Sequence, residues 1–451
     1  MGEESMSQFI RKHTLHFIAL FLLPFAFIAC GGTNSSSSGS KVVISYLTHW
    51  SGPQITQLNQ AIAAYEKINP NVTINIHNVP FGNLLTTINT QGGSSNGPTI
   101  MGIYNLWLPQ LVQNGLLATA PDSQAQDIHQ NYASSIVSAV TVDGKIYGYP
   151  NEVDLYALNY NKALFKAAGI SNPPATWSEL VSDAIKLTKR DNSGKITQQG
   201  FGIINSWNSG VVHPWLSLVN SDGGQLLTND HKPLLTSKAD QAATNLYAQL
   251  IFQDKVTDPA MNQANASTTG PFLDNFAHGK TAMIIMANWW ESNLQASMGA
   301  NFQNVGTAPI PVGPDGTQSH SVSYSWSTVV NSHASSDQQA AAWNFLAWLN
   351  GSQSGKAGSS AMGDILLGMG ILPSRTSDLQ VHQADLNTPF IKTYVDQLPA
   401  SIPFPVVLGG DELTTSIQKS LESVMFGQSS AQQAMAQAQA NVSQILSQYY
   451  S

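Results

Sequence analysis

The chain has 451 residues, 42% of them hydrophobic and only 10% charged, with a formal net charge of −8 and one cysteine. That length supports more than one domain and a large core, and a charge fraction well below the usual ~25% leaves a surface built from uncharged polar side chains. A mildly acidic chain without basic runs is a poor partner for nucleic acid, and a lone cysteine excludes an intrachain disulfide and any multi-cysteine zinc site.

The first element is an apolar run from Phe17 to Ala29, preceded by Arg11 and Lys12 and broken by Pro24. Its 13 residues fall short of the ~20 that span a bilayer. They have the size of a signal-peptide core. The run ends in "FIAC", Phe27 to Cys30, and "GGTNSSSSGS" follows as a Gly/Ser-rich coil. The tetrapeptide resembles a bacterial lipobox, which implies a signal over residues 1–29, lipidation of Cys30 and a tether over 30–40. Met6 is a second candidate start. Two acyl chains hold a protein stably on a membrane where one does not.

"KVVISYLTHW" then predicts a buried strand that opens into a loop at Thr48 to Pro53. In the next segment Ile55, Leu58, Ile62 and Tyr65 share a helical face, and Asn69-Pro70 stops the helix. Val72, Ile74 and Ile76 alternate as a second strand, "GNLLTTINTQGG" is a short helix, and "PTIMGIYN" is a third strand. Strand–helix–strand–helix–strand predicts a parallel sheet with helices on its faces. Ligands of such sheets sit beyond the C-terminal strand ends. Those ends carry His49 and Trp50, Phe81, and Asn105 and Trp107. For any one ring a core position is as good an account. Three strand ends together favour a site.

Downstream, "DLYALNY" reads as a strand, Asn161 as the cap of a short helix, and Thr176 with Glu179 as a capping box. "DNSGK", Asp191 to Lys195, reads as a tight turn, since it lacks the remaining ligands of a calcium loop. "GKT" at Gly279 to Thr281 has Asp274 where a phosphate-binding loop needs glycine, and the eleven histidines show no metal-ligand spacing. Neither H-E-x-x-H nor G-x-S-x-G occurs. No cofactor, metal or catalytic residue is assigned.

The block "YALNYNKALFKAAGISNPPATWSEL", Tyr156 to Leu180, resembles the signature of bacterial extracellular solute-binding proteins of family 1, the maltose-binding-protein type that serves ABC importers. "GKTAMIIMANWWESNL", "NVGTAPIPVGPDG" and "LGMGILPSR" agree with it. The resemblance implies an α/β fold, the two-lobed type II periplasmic-binding-protein clamshell, with each lobe a mostly parallel sheet flanked by helices. It divides the chain into an N-lobe of 41–152 and 321–370 and a C-lobe of 153–320 and 371–451, with crossovers near Asn151 to Leu155 and His320 to Ser323. Carried over residue by residue, it implies ligand contacts at Asp154, His213 or Trp215, Trp289, Tyr324, Trp326 and Asp411, with Trp289 as the stacking platform and Trp290 in the core. Glu152, Trp207 and Glu291 read as surface or packing residues.

The implied function is a lipid-anchored, monomeric, extracytoplasmic receptor, not an enzyme, that delivers a mono- or oligosaccharide to ABC permease subunits. Aromatic faces suit sugar C–H surfaces, and amide and carboxylate groups suit buried hydroxyls. Alternatives are a receptor for glycerol phosphate, disfavoured because the rim holds no arginine, or for a polyamine, which wants more carboxylates than Asp154 and Asp411. A secreted glycosidase would need two acids ~5–10 Å apart, such as Asp154 and Glu291.

Overall fold

The computed structural model describes residues 41–450 apart from residue 51 and residues 266–269. The apolar run, Cys30 and the Gly/Ser coil lie outside the described residues. Among those described, no helix is long and apolar enough to cross a membrane.

The first sheet has five strands in the order Val72–Asn78, Val42–Thr48, Ile100–Tyr104, Trp326–Val330, Gly148–Pro150. The first three are parallel, as the alternation of strands with the helices Pro53–Ile68 and Phe81–Gln91 demands. Leu58, Ile62 and Tyr65 bury the inner face of the first helix, and the Asn69 side chain donates to the Tyr65 carbonyl where it ends. Trp326–Val330 runs antiparallel to both its neighbours. Its first residue therefore lies at the same rim as the last residues of the parallel strands.

The second sheet is built on the ten-residue strand Glu152–Asn161. This strand pairs antiparallel with Thr281–Ala287, Val305–Ala308, Val322–Tyr324 and Leu372–Pro373. Parallel pairing survives only at Thr281–Ala287 with Ile196–Gly202 and at Val322–Tyr324 with Ile402–Pro403. The second sheet is thus mixed, because its central strand enters from the first sheet and is flanked by segments that return toward it.

The chain changes sheet at single residues. Asn151 separates Gly148–Pro150 from Glu152–Asn161, and its amide donates to the Trp326 carbonyl at 3.0 Å. Ser325 separates Val322–Tyr324 from Trp326–Val330. It is gripped by Asn105, whose amide donates to the Ser325 carbonyl (3.0 Å) and whose Oδ1 accepts from the Ser325 amide (3.3 Å). A third passage leads to Leu372–Pro373 through Gly370, which has φ +82° and leaves no room for a Cβ against Glu291. Just beyond, Arg375 makes a two-pronged ion pair with Asp127 (2.9 and 3.1 Å), which ties this passage to the helix Asp122–Asn131.

Local expectations hold where capping chemistry is explicit. Asn161 Oδ1 accepts from the Ala163 and Leu164 amides, and Thr176 with Glu179 completes a capping box. Asp191 Oδ1 accepts from Ser193 and Lys195 in a tight turn. This turn joins two strands, Lys189–Arg190 and Ile196–Gly202, rather than a helix and a strand.

Candidate functional site

The rim of the first sheet gathers aromatic rings. His49 lies 4.2 Å from Trp326 and 5.9 Å from Phe81, centroid to centroid. Phe81 stacks on Trp107 at 6.1 Å, and Trp326 stacks on Tyr104 at 5.9 Å. His49, Phe81 and Trp326 are half-buried, whereas Tyr104 and Trp107 are buried beneath them. Trp50 departs from the group, leaning on the first-sheet core while its carbonyl accepts from Asn78. Asn105 is buried and spends its amide and Oδ1 on Ser325, so its shown role is to fix the second change of sheet.

The second sheet supplies the facing wall. Trp289 follows the strand Thr281–Ala287, is half-buried, and donates Nε1 to the Tyr324 hydroxyl at 2.6 Å. Trp207 follows Ile196–Gly202 and caps the helix Asn208–Ser221; its ring sits 6.1 Å from Trp289 and 6.5 Å from Phe81, bridging the two walls. Asp411 lies in the first turn of the helix Gly410–Met425 and accepts from Trp107 Nε1 (3.4 Å) and Asn208 Nδ2 (3.2 Å). A Cβ at Gly410 would strike Leu106, which shows how closely this helix start approaches the first sheet.

Beneath the rings lies a polar floor. His213 is fully buried; its Nε2 is 3.1 Å from the Tyr104 hydroxyl, and its ring packs on Tyr156 and Tyr324. Burial holds His213 at a pKa of about 3 and His49 at about 4, so both rings stay neutral. Their Nδ1 atoms are buried without a hydrogen-bond partner. Glu152, Asp154 and Tyr156 alternate onto one face of their strand. Burial pushes Asp154 up to about 7, even though it accepts from Asn288 Nδ2 at 3.1 Å. Burial, with the Asp154 charge second, raises Glu152 well above the carboxylate range. Burial of both groups on one strand face therefore favours the neutral carboxyl form at each.

Of the residues chosen from sequence, His49, Phe81, Trp107, Asp154, His213, Trp289, Tyr324, Trp326 and Asp411 converge on this junction. Trp215 does not. It is fully buried and donates Nε1 to Thr244 Oγ1 at 3.0 Å, inside the core of the second lobe. Trp290 keeps part of its surface open and packs against Trp289 (4.1 Å) and Phe272 (5.4 Å), so it is not a core ring. Glu152 and Glu291, read as surface or packing residues, are buried. Sequence reasoning passed over Trp207, although the strand-end rule that selected Phe81 applies equally to the residues after Ile196–Gly202. Among the described residues no group of three or more His, Cys, Asp or Glu is arranged to hold a metal.

Such a site offers ring faces, neutral imidazoles, a tyrosine hydroxyl and carboxylates around a closed junction. Trp289→Ala is expected to weaken ligand binding by about 1–3 kcal/mol, the scale of an aromatic anchor lost from an interface. Trp289→Phe, which keeps a ring but removes the hydrogen bond to Tyr324, should recover most of that. Calorimetric titration of both variants checks the ordering, and equal losses would show that the indole N–H matters more than the face.

Comparison with known proteins fits this geometry. A putative binding protein of Brucella abortus (strain 2308) is 26% identical over 400 residues, covering 88% of this chain and 90% of its own. Maltodextrin-binding protein MdxE of Bacillus subtilis (strain 168) is 26% identical over 309 residues, 67% of this chain and 68% of its own. The solved GacH receptor of Streptomyces glaucescens GLA.O, known unliganded and with acarbose, superimposes with a TM-score of 0.77 at 22% identity over 91% of this chain and 99% of its own. That likeness establishes the two-lobed α/β fold. Residues 51–356 match the family model for bacterial extracellular solute-binding proteins, and with a match over more than half of its length the chain belongs to that family.

Proposed function

We propose that this protein is a lipid-tethered receptor outside the cytoplasm that captures a carbohydrate between its lobes and delivers it to an ABC importer. The observation that carries the reading is the pair of facing aromatic walls, His49, Phe81 and Trp326 against Trp207 and Trp289, over a floor of buried hydrogen-bonding groups. Sugars present C–H faces to such rings, and their hydroxyls satisfy polar atoms that burial would otherwise leave unpaired. Trp107, Asp154, His213, Tyr324 and Asp411 complete the proposed contact set, with Asn105 positioning Ser325 behind it and Trp50 left out because it turns to the first-sheet core. Sugar-binding relatives such as the maltodextrin-binding protein support the same class of solute. Diacylation of Cys30 would hold the body on the membrane through the Gly/Ser coil.

A thermal-shift screen over mono- and oligosaccharides tests the reading. A ligand at a hundred times its Kd stabilises the folded state by about 2.7 kcal/mol, and at least one saccharide is expected to do so. A chain whose melting temperature no saccharide moves is not a carbohydrate receptor.

A further inference from the structure

The charges around the site are one-sided. The segments that build it, residues 48–50, 79–81, 104–107, 150–156, 205–213, 287–291, 322–326 and 408–412, contain no lysine or arginine. The lysine and arginine ion pairs of the described residues all lie elsewhere, on Asp183, Asp230, Asp315, Asp127 and Asp396. The carboxylates are concentrated here instead. Asp411 is held by neutral donors only, the Trp107 indole and the Asn208 amide. Glu152 and Asp154 lie buried beneath the rings, and Glu152 Oε2 has no hydrogen-bond partner. Two helix N-termini, at Asn208 and Gly410, also reach the junction. Each is equivalent to about half a positive charge. Both act as dipoles, and none of the segments around the junction supplies a full positive charge to face Asp411 and the buried carboxyl groups.

A neutral sugar would leave that charge unpaired as the lobes close. An anion would add to it. The half-buried faces of Trp289, Trp207 and Trp326 are attractive to a cation as well as to C–H surfaces. Glu152, buried beneath the rings where its strand pairs with Pro373, answers the objection that the rim holds too few carboxylates for a cationic group.

We propose that the captured solute is a saccharide carrying a protonated amine, an amino sugar or a short oligomer of one with free amines, its ring against Trp289 or Trp326 and its ammonium turned to Asp411 and the Glu152–Asp154 pair. The proposal rests on the carbohydrate reading above and narrows it.

Calorimetric titration of the purified protein with five probes tests it: glucosamine, fully deacetylated chitobiose, N,N′-diacetylchitobiose, cellobiose and spermidine. The deacetylated disaccharide is expected to bind at least tenfold more tightly than its acetylated form or cellobiose, and the advantage should shrink when salt is raised from 0.05 to about 1 M. Equal or tighter binding of the neutral disaccharides overturns this proposal and leaves the carbohydrate reading standing. Binding of spermidine with none of the sugars overturns both. In Asp411→Asn the ratio of amine to acetylated affinity should fall at least threefold, and an unchanged ratio removes Asp411 from the argument. If that variant does not fold, the salt dependence of the ratio in the unaltered protein decides: an advantage that salt does not reduce is not electrostatic and overturns the proposal.

Discussion

Trp215→Ala is expected to cost about 3–5 kcal/mol of stability, the range for truncating a fully buried tryptophan. The indole is entirely buried in the second-lobe core, where it packs in the cluster that includes Val211, Leu218 and Tyr247 and donates to Thr244 Oγ1. Alanine there leaves a cavity and one lost hydrogen bond. For a chain of this size the melting temperature should drop by about 4–6 °C. Trp215→Phe should lose less, because it keeps an aromatic ring in the cavity and gives up the N–H and the remainder of the indole. The folded fraction of either variant should bind solute with unchanged affinity, since the ring presents no face to the junction. A loss of affinity without a loss of melting temperature would return Trp215 to the binding site.

Lowering the pH from 7 to 5 should make the protein more stable, by about 2–3 kcal/mol. Burial raises the folded-state pKa of Asp154, Asp240 and Glu291 to about 7 each, far above what these groups have in an unfolded chain. Between pH 7 and 5 the folded protein holds protons there that the unfolded chain does not, so stability falls as pH rises through that window. Each acid contributes about 2 kcal/mol over the two units. His49 and His213 act in the opposite sense. Their folded-state pKa values lie at about 4 and 3, so below pH 6.5 the unfolded chain takes up protons that the native rings refuse. That opposes by about 2 kcal/mol for each histidine. Three acids against two histidines leave a net gain, which should flatten near pH 5 as the unfolded carboxyls begin to protonate. Denaturant titrations at pH 5, 6 and 7 measure it directly. A midpoint that declines steadily from pH 7 to pH 5 would mean that the acids are better solvated than their burial implies.

Much of the first sheet was legible because its signals are local. The spacing of Leu58, Ile62 and Tyr65 and the alternation at Val72, Ile74 and Ile76 each concern neighbours within one turn or one strand, as do the caps at Asn161 and Thr176 further along the chain. The convergence of His49, Phe81 and Trp107 was legible too, since parallel strands must end at one rim. Long-range partnership was not. His213 and Trp215 stand two apart on one helix and so point in opposed directions. Only the packing of Thr244 behind and Tyr104 in front decides which faces the junction. The antiparallel ladders on Glu152–Asn161 were hidden for the same reason. Four different segments pair with one strand, and nothing in that strand's own pattern names them. Whether Glu152 was a surface or a packing residue stayed open because its burial depends on a return passage more than two hundred residues later, at Pro373.

The strand Trp326–Val330 sits between Ile100–Tyr104 and Gly148–Pro150, and it alone joins them. The first sheet therefore cannot be completed until residue 330 has been made, well after its other four strands. Closing a loop of that length adds little entropy beyond a shorter one, but contacts so distant in sequence make folding slow. At an elongation rate of about 5–20 residues per second, the interval from residue 150 to residue 330 is on the order of ten seconds or more. Throughout that time the early strands have no lasting partner on one side. In a nascent chain with this topology the first sheet stays incomplete while most of the chain is being synthesised, which delays the stable fold that would block passage through a narrow translocation channel.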